Sequence, residues 1–65
     1  MKWSKEISKD GYYWWRSLDC PEEVEMCHVV NLAEFGNVFW IGEQHCDYIN
    51  DLEDSEWYGP LEPPV

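Results

Sequence analysis

The chain has 65 residues, of which 14 are acidic and four are Lys or Arg, and its net charge is −10. A chain of this length forms one modest core, so residues 1–65 are expected to be a single, monomeric, acidic binding domain without a separate substrate-binding unit. The charge argues against direct contact with nucleic acid, and the 17% content of aromatic residues argues against a disordered acidic tail.

The first strand is predicted at Tyr12–Ser17, where aromatic residues of high β propensity run up to the turn-forming sequence Asp19–Pro21. The chain before this strand is polar. In that polar segment, Trp3 and Ile7 have the spacing of one short helical turn.

The second strand is predicted at Glu23–Leu32, where the residues alternate with the period of two that is typical of a half-buried strand. We expect the even-numbered residues on its core side and the odd-numbered ones towards solvent. A turn at Gly36-Asn37 then leads to the apolar segment Val38–Ile41, which is predicted to be a central strand in an antiparallel hairpin with the second. The predicted core side of the second strand carries Val24, Met26, His28, Val30 and Leu32.

The rest of the chain is predicted to complete the sheet. Glu43–Asp51 favours an edge strand, Leu52–Glu56 favours an acidic loop, and Trp57–Gly59 favours a short closing strand that ends before Pro60, because proline cannot donate to a ladder. The predicted fold is mainly β: a small antiparallel meander of four or five strands, curled towards a partial barrel, with one short helix at most. An α+β arrangement with a helix at either end is the alternative.

The cysteines do not suggest a metal site. Cys20, Cys27 and Cys46 lack the Cys-x2–4-Cys pair that structural zinc sites usually contain. We therefore expect free thiols, no metal and no cofactor. The sequence also has no glycine-rich phosphate loop, and so small a core can hardly form a catalytic cleft, so we do not expect an enzyme.

The cysteine count also bears on the compartment. Three is an odd number, whereas a small secreted protein stapled by disulfides normally carries an even set. The first ten residues are polar and charged, unlike a secretory signal, and no run of about 18 apolar residues suggests a membrane span. We therefore expect a cytoplasmic protein.

The charges are distributed unevenly along the chain. All the basic residues, Lys2, Lys5, Lys9 and Arg16, lie among the first sixteen, which contain only two of the 14 acids. The other twelve acids (14 minus 2) lie in residues 17–65, where there is no Lys or Arg. Crowded like charges repel one another and oppose compaction. Because the chain tolerates this cost, we infer that the negative field of this segment serves a function. The alternative is that the acids only keep a tryptophan-rich chain soluble.

We predict that acids form a partner-binding patch that imitates the phosphates of nucleic acid. Glu23 and Glu25, two apart on one strand face, would be about 6.6–6.8 Å apart, which is close to two phosphate steps of about 3.4 Å each along a DNA strand. Lys and Arg of a DNA-binding protein bind phosphate and carboxylate oxygens alike, so such a patch would act as a decoy. The candidate residues are Glu22, Glu23, Glu25, Asp47, Asp51, Glu53, Asp54 and Glu56.

The aromatic residues offer a second kind of contact. Most are expected in the core, but strand residues alternate between faces, so some rings stay exposed. An exposed ring beside carboxylates can anchor a protein interface or stack on an arginine of the partner. The candidate anchors are Tyr13, Trp15 and Trp57. The rival hypothesis for the function is an adaptor module that binds a partner protein through this aromatic surface and the tail at Pro60–Pro64.

Three segments carry a resemblance to known proteins: Gly11–Arg16, Val38–Gly42 and Glu56–Pro64. They resemble segments of short proteins encoded by phages and other mobile elements of proteobacteria, several of which are anti-CRISPR proteins. In size, charge and aromatic content the chain is similar to the DNA-mimicking anti-CRISPR proteins of type I systems, type I-C among them. The resemblance implies an inhibitor in the bacterial host cytoplasm that covers the DNA-recognition surface of a Cascade complex. It assigns no role to any single residue.

Overall fold

The computed structural model describes residues 2–61, which contain five β-strands, one turn of 3-10 helix and no α-helix. The 3-10 turn spans Ile49–Asp51. The strands are β1 (Gly11–Ser17), β2 (Val24–Val30), β3 (Asn37–Trp40), β4 (Cys46–Tyr48) and β5 (Ser55–Leu61).

All five strands belong to one open antiparallel sheet with the spatial order β4-β3-β2-β1-β5. The mainly β fold is therefore confirmed, as are the β2–β3 hairpin and the edge position of β4. The first four strands form the predicted meander, but β5 returns to the free side of β1. No helix in residues 2–61 has the length and apolar character that a membrane crossing requires.

The N-terminal segment extends the sheet instead of forming the predicted helical turn. Ser4 pairs with Trp57 on the outer edge of β5 through two backbone hydrogen bonds of 2.8 Å. β5 itself continues past its predicted end at Gly59 to Leu61. Its register against β1 shifts between Tyr12 and Trp14, and such an irregularity accommodates Pro60, which has no N–H to donate.

The core lies on the face of β2 opposite to the one predicted. Cys27 and Val29 are fully buried, whereas Val24 is exposed. The alternation in β2 is ambiguous, because Val29 and Val30 are both apolar and occupy different faces. The pairing with the neighbouring strands determines which face is the core. The register places Cys27 between Tyr13 of β1 and Trp40 of β3, so these two large rings lie on the same face of the sheet as Cys27. The buried core consists of Tyr13, Cys27, Val29, Val38, Trp40 and Trp57.

The connection from β4 to β5 covers this core. Ile49 and Leu52 pack against the buried residues, together with Ile7 and Leu32. The Ile49 N–H donates to the carbonyl of Gly36 at 2.7 Å, which ties the connection to the β2–β3 loop. Gly36 has φ +66, and a Cβ there would collide with Cγ2 of Ile49, so glycine is required for this contact.

Burial makes Cys27 the least reactive of the three thiols. Desolvation and the nearby Glu25 raise the pKa of Cys27 from 9.0 to about 12, although its bond to the carbonyl of Tyr13 acts in the opposite direction. At pH 8 we expect alkylation of the exposed Cys20 and Cys46 but not of Cys27 until the chain unfolds. Mass spectrometry of the folded protein tests this, and equal modification of all three thiols would contradict the burial of Cys27.

The raised pKa of Cys27 predicts how the stability of the fold changes at alkaline pH. Above pH 9 the unfolded chain loses the thiol proton that the folded chain keeps, so the free energy of unfolding falls as pH rises towards 12. Burial and the charge of Asp10 also raise the pKa of Tyr13, which acts in the same direction. Replacing Cys27 with Ala should flatten this decline in denaturant titrations at pH 8, 9 and 10, and an unchanged slope would contradict the assignment.

Candidate partner-binding surfaces

Acidic side chains gather at the end of the sheet where β1 stops and β2 and β5 begin. Ser17 pairs with Ser55, and the Leu18 N–H donates to the carbonyl of Asp54 at 2.7 Å. These contacts hold the β1–β2 loop beside the segment that enters β5. Six of the eight predicted acids lie at this end, which we call the acidic end: Glu22, Glu23, Glu25, Glu53, Asp54 and Glu56.

Two further acids at this end were missed by the sequence analysis. Asp19 lies in the β1–β2 loop, where its backbone N–H donates to Oγ of Ser17 at 3.2 Å. Glu43 lies in the β3–β4 loop, where its N–H donates to the carbonyl of Trp40 at 3.1 Å. In an antiparallel meander these two loops share one end of the sheet. The predicted order of the strands could therefore have placed both acids.

The structure places Asp51 away from the acidic end and ties Asp47 to a core residue. Asp47 lies within β4 and accepts a hydrogen bond from Nε1 of Trp40 at 2.7 Å, with Nε2 of His45 at 3.9 Å. Asp51 lies in the 3-10 turn that follows β4, at the opposite end of the sheet. The inclusion of Asp51 in one continuous patch was wrong, because the chain crosses the core face between Asp51 and β5. Asp47 lies close to the β3–β4 loop, but Trp40 engages its carboxylate.

The proposed strand-spaced pair is also wrong. Glu23 precedes the first residue of β2, and its N–H closes a turn with the carbonyl of Cys20 at 3.0 Å. Glu25 is on the core side of β2, opposite Trp15, and is exposed at the border of that face. The acids therefore form a cluster contributed by loops and by the first residues of β2 and β5, not a single row along one strand.

One acid of the cluster is already neutralised. Glu56 Oε1 lies 2.8 Å from Nη2 and 3.0 Å from Nε of Arg16. Arg16 is the only Lys or Arg on the five strands, and its guanidinium lies 4.0 Å from the centre of the Trp3 ring. Among residues 2–61, the other acids of this end form no ion pair with Lys or Arg. Their charges are available to a partner.

The predicted aromatic anchors are mostly core residues. Tyr13 and Trp57 are only 1% and 3% exposed, and Trp15 is half-buried with its ring centre 5.0 Å from that of Trp40. Because the core face is the opposite of the one predicted, the exposed rings are on the other side of the sheet. Trp14, Phe39 and Tyr48 are the exposed rings there, at 39%, 45% and 54%.

We call this second side the outer face; it carries the even-numbered residues of β1 and β2. Tyr12 and His28 stack on it with ring centres 4.2 Å apart, next to Phe39 in the adjacent strand. A shallow apolar groove of about 420 Å³ runs beside them and is lined by Trp3, Trp14, Val24 and Tyr58. An aromatic surface of this kind on a small protein is typical of a contact region.

Within residues 2–61, no three His, Cys, Asp or Glu side chains are arranged to hold a metal ion. Comparison of the chain with protein-family models, with curated proteins and with solved structures finds no match. A functional assignment therefore rests on the two surfaces, one acidic and one aromatic.

Proposed function

We propose that the protein is an anti-CRISPR-type inhibitor that binds a basic, nucleic-acid-binding surface of a host defence complex and blocks recognition of target DNA. The observation that supports this proposal is the acidic end. It brings together eight acids from three parts of the chain, and only Glu56 among them has a cationic partner within residues 2–61.

The charge density is of the order that DNA mimicry requires. The molecule measures 27 × 25 × 25 Å and its net charge is −10. A DNA duplex of about 25 Å carries about 15 phosphates, at one negative charge per about 1.7 Å. Lys and Arg that line a DNA channel would therefore meet a comparable field, fixed on a folded surface, without any contact between this protein and nucleic acid.

A competition assay tests the proposal. Purified type I Cascade is given labelled target DNA and increasing amounts of the protein at low and at physiological salt. We expect displacement of DNA at low salt and markedly weaker displacement at physiological salt, because screening reduces attraction between exposed charges. Failure to displace DNA at low salt would rule out Cascade as the target. Displacement that does not depend on salt would rule out charge mimicry.

The outer face favours a second candidate function, a protein adaptor in the phage or mobile-element setting. Its exposed Trp14 and Phe39, beside the apolar groove, could anchor a partner with little help from charge. Binding of that kind would be nearly independent of salt and lost on Trp14→Ala. The same competition assay with this variant separates the two functions, because mimicry through the acidic end tolerates Trp14→Ala.

A further inference from the structure

A separate cleft lies at the opposite end of the sheet from the acidic end. It has a volume of about 440 Å³ between the β2–β3 loop and the 3-10 turn, and we call it the aromatic cleft. Its two rings are exposed, Phe35 by 67% and Tyr48 by 54%. The lining residues are Glu34, Phe35, Tyr48, Asn50 and Asp51.

Backbone hydrogen bonds hold both walls of the aromatic cleft in place. The N–H groups of Glu34 and Gly36 donate to the carbonyl of Asn31 at 3.0 and 2.9 Å, which closes the loop that carries Phe35. Across the cleft, Tyr48 pairs with Asn37 in the sheet. The bond from Ile49 to Gly36 joins the two walls directly. The rings are therefore presented by a fixed backbone.

The chemistry of the lining selects one kind of ligand. Two aromatic rings and the carboxylates of Glu34 and Asp51 face a space that no Lys, Arg or His of residues 2–61 lines. An apolar side chain would contact the rings but gain nothing from the carboxylates, and a second copy of this chain, with the same charge of −10, would be repelled. A guanidinium matches both features, because its flat face stacks on rings while its N–H groups donate to carboxylates.

We propose that the aromatic cleft binds an arginine side chain on the surface of the protein's partner. This inference rests on the proposed function, since the basic partner supplies the arginine. It adds a defined anchor at the end of the sheet remote from the acidic end. Arginine is favoured over lysine, because an ammonium ion is more strongly hydrated and cannot stack.

An NMR titration of the ¹⁵N-labelled protein with the peptide acetyl-Gly-Arg-Gly-Arg-Gly-amide tests the inference. We expect the largest shifts at the amides of residues 34–36 and 48–51. The same peptide with citrulline in place of arginine keeps the shape of the side chain but not its charge, and should bind at least about fivefold more weakly. Equal affinity for the citrulline peptide, or shifts confined to other parts of the protein, would overturn the inference.

Variants isolate the contribution of the rings. Phe35→Leu with Tyr48→Leu keeps apolar area but removes both aromatic faces, and should weaken arginine-peptide binding about fivefold or more, since each exposed cation–π contact contributes about two- to fivefold. Ile41→Ala, which removes an exposed apolar side chain outside the aromatic cleft, is the control and should bind as the parent does. A double variant that keeps the parent affinity would refute the inference.

The same titration separates this inference from the proposed function. Amide substitutions at the acidic end should leave the shifts at the aromatic cleft unchanged. If those substitutions abolish peptide binding and the ring variants do not, the arginine site is wrong while the acidic end remains the binding surface. If the ring variants abolish peptide binding, the arginine site is supported. If the parent protein then fails to inhibit Cascade, the proposed target is wrong although the arginine site is correct.

Discussion

Replacing Trp40 with Ala is expected to lower the free energy of unfolding by about 3–5 kcal/mol, the usual cost of removing a buried aromatic ring. Trp40 is 6% exposed in the centre of the core, and its ring packs edge-on against that of Trp15 with centres 5.0 Å apart. Its indole N–H also donates to Asp47 at 2.7 Å. This loss is close to the total free energy of unfolding of a small domain, so the variant should be largely unfolded near its normal working temperature.

Two matched changes show which contact matters. Trp14→Ala removes an equal volume from the outer face of β1, where the ring is 39% exposed, and should cost much less. Asp47→Ala removes the acceptor but keeps the ring, and should cost about 1 kcal/mol, as for a typical hydrogen bond. Chemical denaturation of all three variants gives the comparison. If Trp40→Ala is no more destabilised than Trp14→Ala, the assignment of the core face is incorrect.

The sequence predicted the elements of the fold better than their orientation. The hydrophobic runs and turn residues located all five strands, because period-two patterns and Gly-Asn turns are local signals. The core face of β2 depends on which rings the neighbouring strands bring to Cys27, and that is a property of the pairing register. The return of β5 to β1 is likewise a long-range pairing, from Ser17 opposite Ser55 to Tyr12 opposite Leu61, and no local pattern encodes it.

The candidate site was also predictable only in part, because its shape depends on contacts between distant parts of the chain. The excess of acids after residue 17 is a property of composition, so an acidic surface could be inferred from the sequence. Its shape could not, because the β1–β2 loop and the start of β5 meet only when β5 pairs with β1, a contact between distant parts of the chain. The burial of Tyr13 and Trp57 follows from the choice of core face, so the aromatic anchors were assigned to the wrong side of the sheet.

Neutralising the acidic end is expected to have the largest effect on inhibition. The variant carries amides in place of five acids: Glu22→Gln, Glu23→Gln, Glu25→Gln, Glu53→Gln and Asp54→Asn. Each exposed pair contributes about 0.2–1 kcal/mol, so together the changes should weaken binding by about 1–5 kcal/mol, or roughly fivefold to several thousandfold in Kd. The fold should survive, because these side chains are exposed. Asp54 has φ +51, a conformation that asparagine adopts readily.

A control of equal charge distinguishes a local surface from a general field. Glu22→Gln with Glu23→Gln and Glu6→Gln with Asp10→Asn both change the net charge from −10 to −8, since each pair removes two negative charges. Glu6 lies against the Gly59-Pro60 part of β5 and Asp10 directly precedes β1, so both lie away from the acidic end. The amide that replaces the Asp10 carboxylate still offers an oxygen to the N–H of Leu32. If the acidic end is the contact surface, only the first pair weakens displacement of DNA. Equal effects of the two pairs would mean that net charge alone drives binding, and unchanged displacement by the five-acid variant would transfer the function to the outer face.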